Sequence, residues 1–66
     1  MKNINNIIKK ERTRRGITQE ELAIAINVSR QTIVNLEKGT YDPSLALALK
    51  ISHYFHEPVE NIFFWE

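Results

Sequence analysis

Three side chains that can pair with DNA bases lie within six residues of one another: Arg30, Gln31 and Asn35. Arg can donate two hydrogen bonds to guanine, and Gln or Asn can pair with the edge of adenine. Ser29 precedes this stretch and Gly39 follows it, so a capped helix of about two turns is predicted between them. The residue types therefore suit a helix that reads base edges in the major groove.

Such a short helix is not stable by itself and must be anchored by its neighbours. Ile33 and Leu36 have the spacing of a buried face, which leaves the polar side chains in solvent. Val34 is a further exposed candidate, since its methyl groups could meet a thymine methyl, although simple edge packing explains it equally well. For a single short helix, the simpler interpretation is that these polar side chains are ordinary solvated residues. The elements around the helix must therefore decide between this interpretation and base reading.

The preceding segment supplies the anchor. Thr18 and Glu21 form a capping-box pattern that starts a helix running to about Ile26. Ala23 is small enough to permit close approach where two helices cross, and Val28 can plug the turn. Two short helices joined by a tight turn predict a helix-turn-helix over residues 19–38, which would hold its second helix rigidly enough to enter the major groove.

Three further helices follow from start and stop signals. The first runs from about Asn5 to Arg15, the fourth from Leu45 to Phe55, and a short fifth from Val59 to about Phe63. Their apolar spacing predicts a single all-α domain over residues 1–66, built as a five-helix bundle. The buried stripe predicted for the fourth helix comprises Leu45, Ala48, Leu49, Ile51, Ser52 and Phe55.

Charge is distributed unevenly although the net charge is only +1. Residues 1–40 carry eight basic and four acidic side chains, a balance of +4, whereas residues 41–66 carry one and four, a balance of −3. A chance distribution of solvated surface charges would explain this imbalance. A basic half that binds a polyanion would explain both the imbalance and the exposed polar helix.

Other classes of function are disfavoured. The chain has no Cys and 66 residues, too few for an enzyme with a pocket-sized core, and its apolar runs are too short for a membrane span. His53 and His56 could hold one edge of a metal, but no third ligand is evident. We expect a cytoplasmic protein without cofactor, metal or small-molecule ligand.

At this level of detail the sequence resembles the Cro-type, or XRE-type, helix-turn-helix transcriptional regulators. The resemblance covers nearly the whole chain and is strongest for the small stand-alone repressors of the cytolysin-operon repressor type. It implies a bundle of the lambda-repressor-like type, and it allows for a short antiparallel pairing of the chain ends. It rests on I-T-Q-E-E-L-A at 17–23, V-S-R-Q-T-I at 28–33, L-E-K-G at 36–39, P-S-L-A-L-A-L-K-I at 43–51 and E-P-V-E-N-I-F at 57–63.

The resemblance also implies roles for individual residues. Gln19 matches a position that contacts a phosphate and braces the recognition helix, and Arg12 with Glu37 matches a structural ion pair. Many relatives have Gln where this chain has Arg30, so the operator sequence cannot be copied from them. The expected base-reading residues are Arg30, Gln31, Val34 and Asn35, and those expected near the DNA backbone are Gln19, Ser29, Thr32, Lys38, Thr40 and Tyr41.

The carboxyl-terminal segment 58–66 is the expected dimer interface, because one small core cannot absorb all of its aromatic side chains. The interface residues predicted there are Val59, Ile62, Phe63, Phe64 and Trp65. A homodimeric repressor on an inverted-repeat operator is the function that the sequence favours. The alternative is an antitoxin-like protein-interaction module that also binds DNA, with the same tail masking a partner protein.

Overall fold

The computed structural model describes residues 4–40 and 42–65. Within these residues five helices form a bundle, and a short strand at each end of the described chain pairs beside it. In chain order the elements are β1 (Ile4–Asn6), α1 (Ile8–Arg14), α2 (Gln19–Ala25), α3 (Arg30–Lys38), α4 (Leu45–Phe55), α5 (Val59–Ile62) and β2 (Phe63–Trp65). This arrangement confirms the predicted five-helix fold and the antiparallel pairing of the chain ends.

The two strands account for the main differences from the predicted helix bounds. Asn5 was expected to begin the first helix, but it lies in β1 opposite Phe64. Helix α1 starts later because the Asn6 carboxamide oxygen accepts the Ile8 amide at 3.0 Å, while its nitrogen donates to the Leu36 carbonyl at 2.8 Å. Phe63 was expected to end the fifth helix, but it already belongs to β2 opposite Asn6.

The core is a continuous apolar cluster to which every helix contributes at least one side chain. Burying such side chains is the dominant favourable contribution to folding, at roughly 25 cal/mol for each Å² of apolar surface removed from water. The largest fully buried members are Ile8, Leu22, Ile33, Leu36, Ile51, Phe55 and Ile62.

The predicted buried stripe of α4 was wrong at two positions. Leu45 is 73% exposed and Leu49 is 52% exposed, whereas Ala48, Ile51 and Phe55 are buried. The core therefore lies against the face that carries Ala48, Ile51 and Phe55, at the spacing i, i+3 and i+7. The two leucines lie outside this face. Several leucines and alanines on more than one side of α4 made its buried face ambiguous from spacing alone.

Glu11 is an acidic residue at the edge of the core, and one of its hydrogen-bonded arginines links α1 to the end of α4. Glu11 is buried, and its carboxylate accepts hydrogen bonds from Arg14 at 2.9 Å and Arg15 at 3.1 Å. The hydrogen bond from Arg14 is the main reason why the pKa of Glu11 lies below its usual value of 4.5. Arg15 also donates to the Phe55 carbonyl at 2.8 Å, so this cluster helps to satisfy the carboxyl end of α4.

Candidate nucleic-acid interface

The helix-turn-helix is fixed by caps and by one left-handed residue. The Thr18 hydroxyl accepts the Glu21 amide at 3.0 Å, and the Glu21 carboxylate accepts the Thr18 amide at 2.8 Å, which confirms the capping box. Asn27 turns the chain with a φ of 59°, a conformation that Asn tolerates better than most residues. Val28 then donates its amide to the Ala23 carbonyl at 2.9 Å, which closes the turn against the buried Ala23.

Helix α3 is held from its buried side and presents polar groups on the other. Ile33 and Leu36 are fully buried, as the spacing predicted. Arg30 and Gln31 are exposed at the start of the helix, and Asn35 lies one turn further along, half-buried. The Gln31 carboxamide donates to the Asn35 side-chain oxygen at 3.0 Å, so these two groups share one face and are mutually oriented.

A network of side-chain hydrogen bonds behind this face connects α1, α2 and α3. Glu37 accepts two hydrogen bonds from Arg12, at 2.8 and 3.2 Å, and a third from the Gln19 carboxamide at 3.0 Å. The side chains of Arg12 and Glu37 are only 12% and 6% exposed, and the hydrogen bond to Glu37 raises the pKa of Arg12. The predicted ion pair is therefore present, and Glu37 also holds Gln19.

The same network of hydrogen bonds extends outward to Arg30, which is a predicted base-reading residue. The oxygen of the Gln19 carboxamide accepts from the Arg30 guanidinium at 3.4 Å. Arg30 is thus linked to the protein interior through Gln19 and Glu37, although eleven residues separate it from Gln19. The resemblance implied that Gln19 braces the recognition helix, but it did not identify Arg30 as a partner, because no local pattern connects side chains on α2 and α3.

An open depression lies between the start of α2 and the start of α3. It has a volume of about 570 Å³, and Arg12, Gln19 and Arg30 line it together with Thr18 and Glu20. The exposed Arg30 guanidinium and the Gln19 carboxamide are groups of the kind that bind phosphate oxygens in protein–DNA complexes. The Arg12 guanidinium is 12% exposed and already donates to Glu37 and to the Ile17 carbonyl.

The remaining residues expected near the DNA backbone have mixed surroundings. Ser29 caps α3 by accepting the Thr32 amide at 3.1 Å, and the two hydroxyls lie 2.8 Å apart. Thr40 donates to the Asn35 carbonyl at 3.1 Å, and Lys38 is exposed in the last turn of α3. These four residues therefore lie on α3 or directly beside its ends, whereas the expectation for Tyr41 falls outside the described residues. Val34 is half-buried on α3.

The residues expected at the dimer interface divide into two groups. Ile62 and Phe63 are buried within the single chain, so they complete its own core and offer little surface to a partner. Phe64 and Trp65 are 43% and 65% exposed. They line a groove of about 410 Å³ together with Ile4 and Val59.

The described residues were also searched for metal-binding groups and membrane-spanning helices. No group of three or more His, Asp or Glu side chains there is placed to hold a metal ion. The rings of His53 and His56 are 6.3 Å apart, and both residues are exposed. Among the helices that the structure describes, none combines the length and the apolar character needed to cross a membrane.

Comparisons with known proteins agree with this geometry. A family model described as helix-turn-helix matches residues 8–61. An uncharacterized HTH-type transcriptional regulator of Methanocaldococcus jannaschii is 49% identical over 63 residues, which is 96% of each chain. The transcriptional repressor RstR of a cryptic phage of Vibrio cholerae is 33% identical over 55 residues, and the match spans 83% of this chain and 50% of RstR.

A solved structure extends the agreement to the fold. The restriction-modification controller protein C.AhdI of Aeromonas hydrophila superposes with a TM-score of 0.75 at 26% identity, covering 82% of each chain. The matched family region includes both helices of the motif. It also includes the whole hydrogen-bond network of Arg12, Glu37, Gln19 and Arg30. This chain belongs to the helix-turn-helix family of the Cro/XRE type, and it is a DNA-binding transcriptional regulator.

Proposed function

We propose that the protein is a repressor that binds an inverted-repeat operator as a homodimer, with α3 of each copy in the major groove. The observation that supports this most directly is the preorganised outer face of α3. Arg30 is held through Gln19, and Gln31 is held against Asn35. Side chains that are already oriented lose less conformational freedom when they bind, so they discriminate between bases more sharply.

The start of α2 would contact the DNA backbone on the same side. The Gln19 carboxamide lines the depression at the start of α2 and would donate to a phosphate there, and Ser29 lies at the start of the adjacent recognition helix. Phosphate contacts fix the register of a protein on DNA but carry no sequence information directly. Gln19 would therefore set the docking position, whereas Arg30, Gln31, Val34 and Asn35 would read bases.

Repression would follow from occlusion, because a dimer on an operator excludes polymerase from the same DNA. RstR, a relative by sequence, is named as a transcriptional repressor, which favours repression over activation for this chain. The twofold interface would be formed by the exposed part of the tail, Phe64 and Trp65, with Val59 beside them. An apolar surface of this kind at the end of a small domain is typical of a protein interface.

The experiment that tests base reading compares Arg30→Ala with Gln19→Ala on specific and non-specific DNA. Arg30→Ala should lose roughly 1 to 3 kcal/mol on the preferred site and relax the preference at one position of each half-site. Gln19→Ala should weaken binding to all sequences, because its contact is with the backbone, and it should relax the preference at the Arg30 position only partly, because Arg30 remains but loses its support. Fluorescence anisotropy at a fixed salt concentration measures both. If Arg30→Ala binds the preferred site as tightly as the parent, α3 does not read bases through Arg30.

A further inference from the structure

Helix α4 has a second, partly apolar face that the bundle does not cover. Ala46, Leu49, Lys50 and His53 follow the spacing i, i+3, i+4 and i+7, so they share one side of the helix. The core stripe that begins at Ala48 follows the same spacing two positions later, which places it about 200° around the helix. A helix with apolar side chains on opposite sides is normally covered on both.

This uncovered face forms one wall of a groove of about 590 Å³. The other wall is the carboxyl end of α2, which contributes Ala25, Ile26 and Asn27, and Tyr54 lines the groove as well. Leu49 is 52% exposed there, although burying a leucine stabilises a protein by about 2 kcal/mol. The groove is therefore a surface on which an apolar ridge could gain substantial contact.

The charges at the groove favour one class of occupant. Among the described residues that line it, the ionisable side chains are Lys50, His53 and Tyr54, and none is a carboxylate. The Lys50 ammonium donates to the Ile26 carbonyl at 3.4 Å, which holds the charge at the rim and leaves its other protons available. A rim with this charge attracts carboxylates and repels basic segments.

We propose that this groove docks an acidic amphipathic helix of another protein. The helix would place a leucine ridge against Ala46 and Leu49 and a carboxylate beside Lys50. The α4 residues that line the groove lie between Ala46 and Tyr54, about 12 Å apart along the helix at 1.5 Å per residue, which matches about two turns of a docked helix. Helix-in-groove recognition of this kind uses apolar anchors at i, i+3, i+4 and i+7.

The groove is separate from the surfaces already described. Its lining includes neither the residues of α3 nor those of the tail. A protein bound there would leave the recognition helix and the proposed dimer interface free, so it could join the regulator while the regulator occupies DNA. Docking at the groove does not depend on the proposed repressor function, since the helix can bind with or without DNA.

The test uses a synthetic helical peptide of about 16 residues, long enough to show helicity, with leucines at helical spacing and glutamates on both flanks. A second peptide carries lysines in place of all the glutamates. Each is titrated into the ¹⁵N-labelled full-length protein, and amide chemical shifts are followed. We expect changes centred on the carboxyl end of α2 and on α4, with at least tenfold weaker binding of the lysine peptide.

Variants of the protein localise the site. Leu49→Ser and Lys50→Glu should each weaken binding of the acidic peptide about tenfold, which corresponds to about 1.4 kcal/mol. Ile24→Ser, at another exposed apolar side chain, and Lys9→Glu, at another exposed lysine, are the matched controls and should bind like the parent. Unchanged DNA binding by Leu49→Ser would show that this variant remains folded.

Three results would overturn the proposal. The first is the absence of shift changes at millimolar peptide, and the second is equal binding of the acidic and basic peptides. The third is a concentration-dependent shift of the groove residues without any peptide, which would make a second copy of this chain the occupant.

Discussion

Glu37 organises the DNA-facing side of the molecule at the scale of single residues. Its carboxylate accepts from Arg12 and from Gln19, and Gln19 in turn accepts from Arg30. A buried carboxylate is favourable only when its oxygens are satisfied, and here donors from two other helices reach it. The residue therefore contributes both to the stability of the bundle and to the orientation of Arg30, the arginine that we propose reads bases.

Replacing Glu37 with Ala should lower the free energy of unfolding by about 2 to 3 kcal/mol, because it leaves the nearly buried Arg12 guanidinium without its partner. Denaturant unfolding measures the effect. Glu20→Ala, which removes an exposed glutamate from α2, is the control and should change stability by less than about 0.5 kcal/mol. Equal stability of Glu37→Ala and the parent would mean that the ion pair contributes nothing to the fold.

At the scale of elements, short helices depend on their caps. Helices α2, α3 and α4 are each preceded by a Ser or Thr whose hydroxyl accepts a hydrogen bond from an amide of the first turn. Glu21 closes the cap of α2 in the reverse direction, and the hydrogen bond from the Thr18 amide lowers its pKa. A helix of seven residues has few internal hydrogen bonds, so these caps account for much of its local stability.

Thr18→Ala should therefore destabilise the protein by about 1 kcal/mol, since it leaves the Glu21 amide without the hydroxyl that it now donates to. Thermal or denaturant melts give the value. Thr13→Ala, at an exposed position within α1, is the matched control, and it should be neutral or slightly stabilising because Ala has the higher helix propensity. A Thr18→Ala protein as stable as Thr13→Ala would show that the cap is dispensable.

Local signals predicted the caps, the motif and most of the core, because each of these depends on residues close together in the sequence. Ile33, Leu36 and Ala23 are buried as their spacing indicated. The start of α1 and the end of α5 were misplaced, because the pairing of β1 with β2 joins residues about sixty positions apart. Gln19 was expected to brace the recognition helix, but its hydrogen bonds to Glu37 and Arg30 were not predicted, because they join side chains on different helices.

At the scale of the whole molecule, we propose that the recognition helix and the apolar tail serve two different contacts, one with DNA and one with a second copy. One motif reads only a few base pairs, which is too little to discriminate against a genome of competing sites. Two copies on a twofold axis double the reading, and they need recognition helices about 34 Å apart, one turn of DNA. The exposed Phe64 and Trp65 are the side chains that we propose hold this spacing.

The double variant Phe64→Ala, Trp65→Ala should be a folded monomer at micromolar concentration, because both side chains lie outside the core of the single chain. Sedimentation velocity gives the oligomeric state, and circular dichroism gives the helix content. Leu45→Ala, at an exposed leucine on α4, is the control and should remain dimeric. A dimeric double variant would move the interface elsewhere, and a monomeric parent would favour a tail that binds another protein.

Base reading by a symmetric dimer is tested most directly by selecting bound sequences from random DNA with the parent and with Arg30→Ala. We expect the parent to select an inverted repeat whose half-sites are centred about 10 base pairs apart. We also expect Arg30→Ala to retain this symmetry but to lose the preference at one position in each half-site. Selected sequences without twofold symmetry, or an unchanged preference in Arg30→Ala, would contradict the proposed mode of binding.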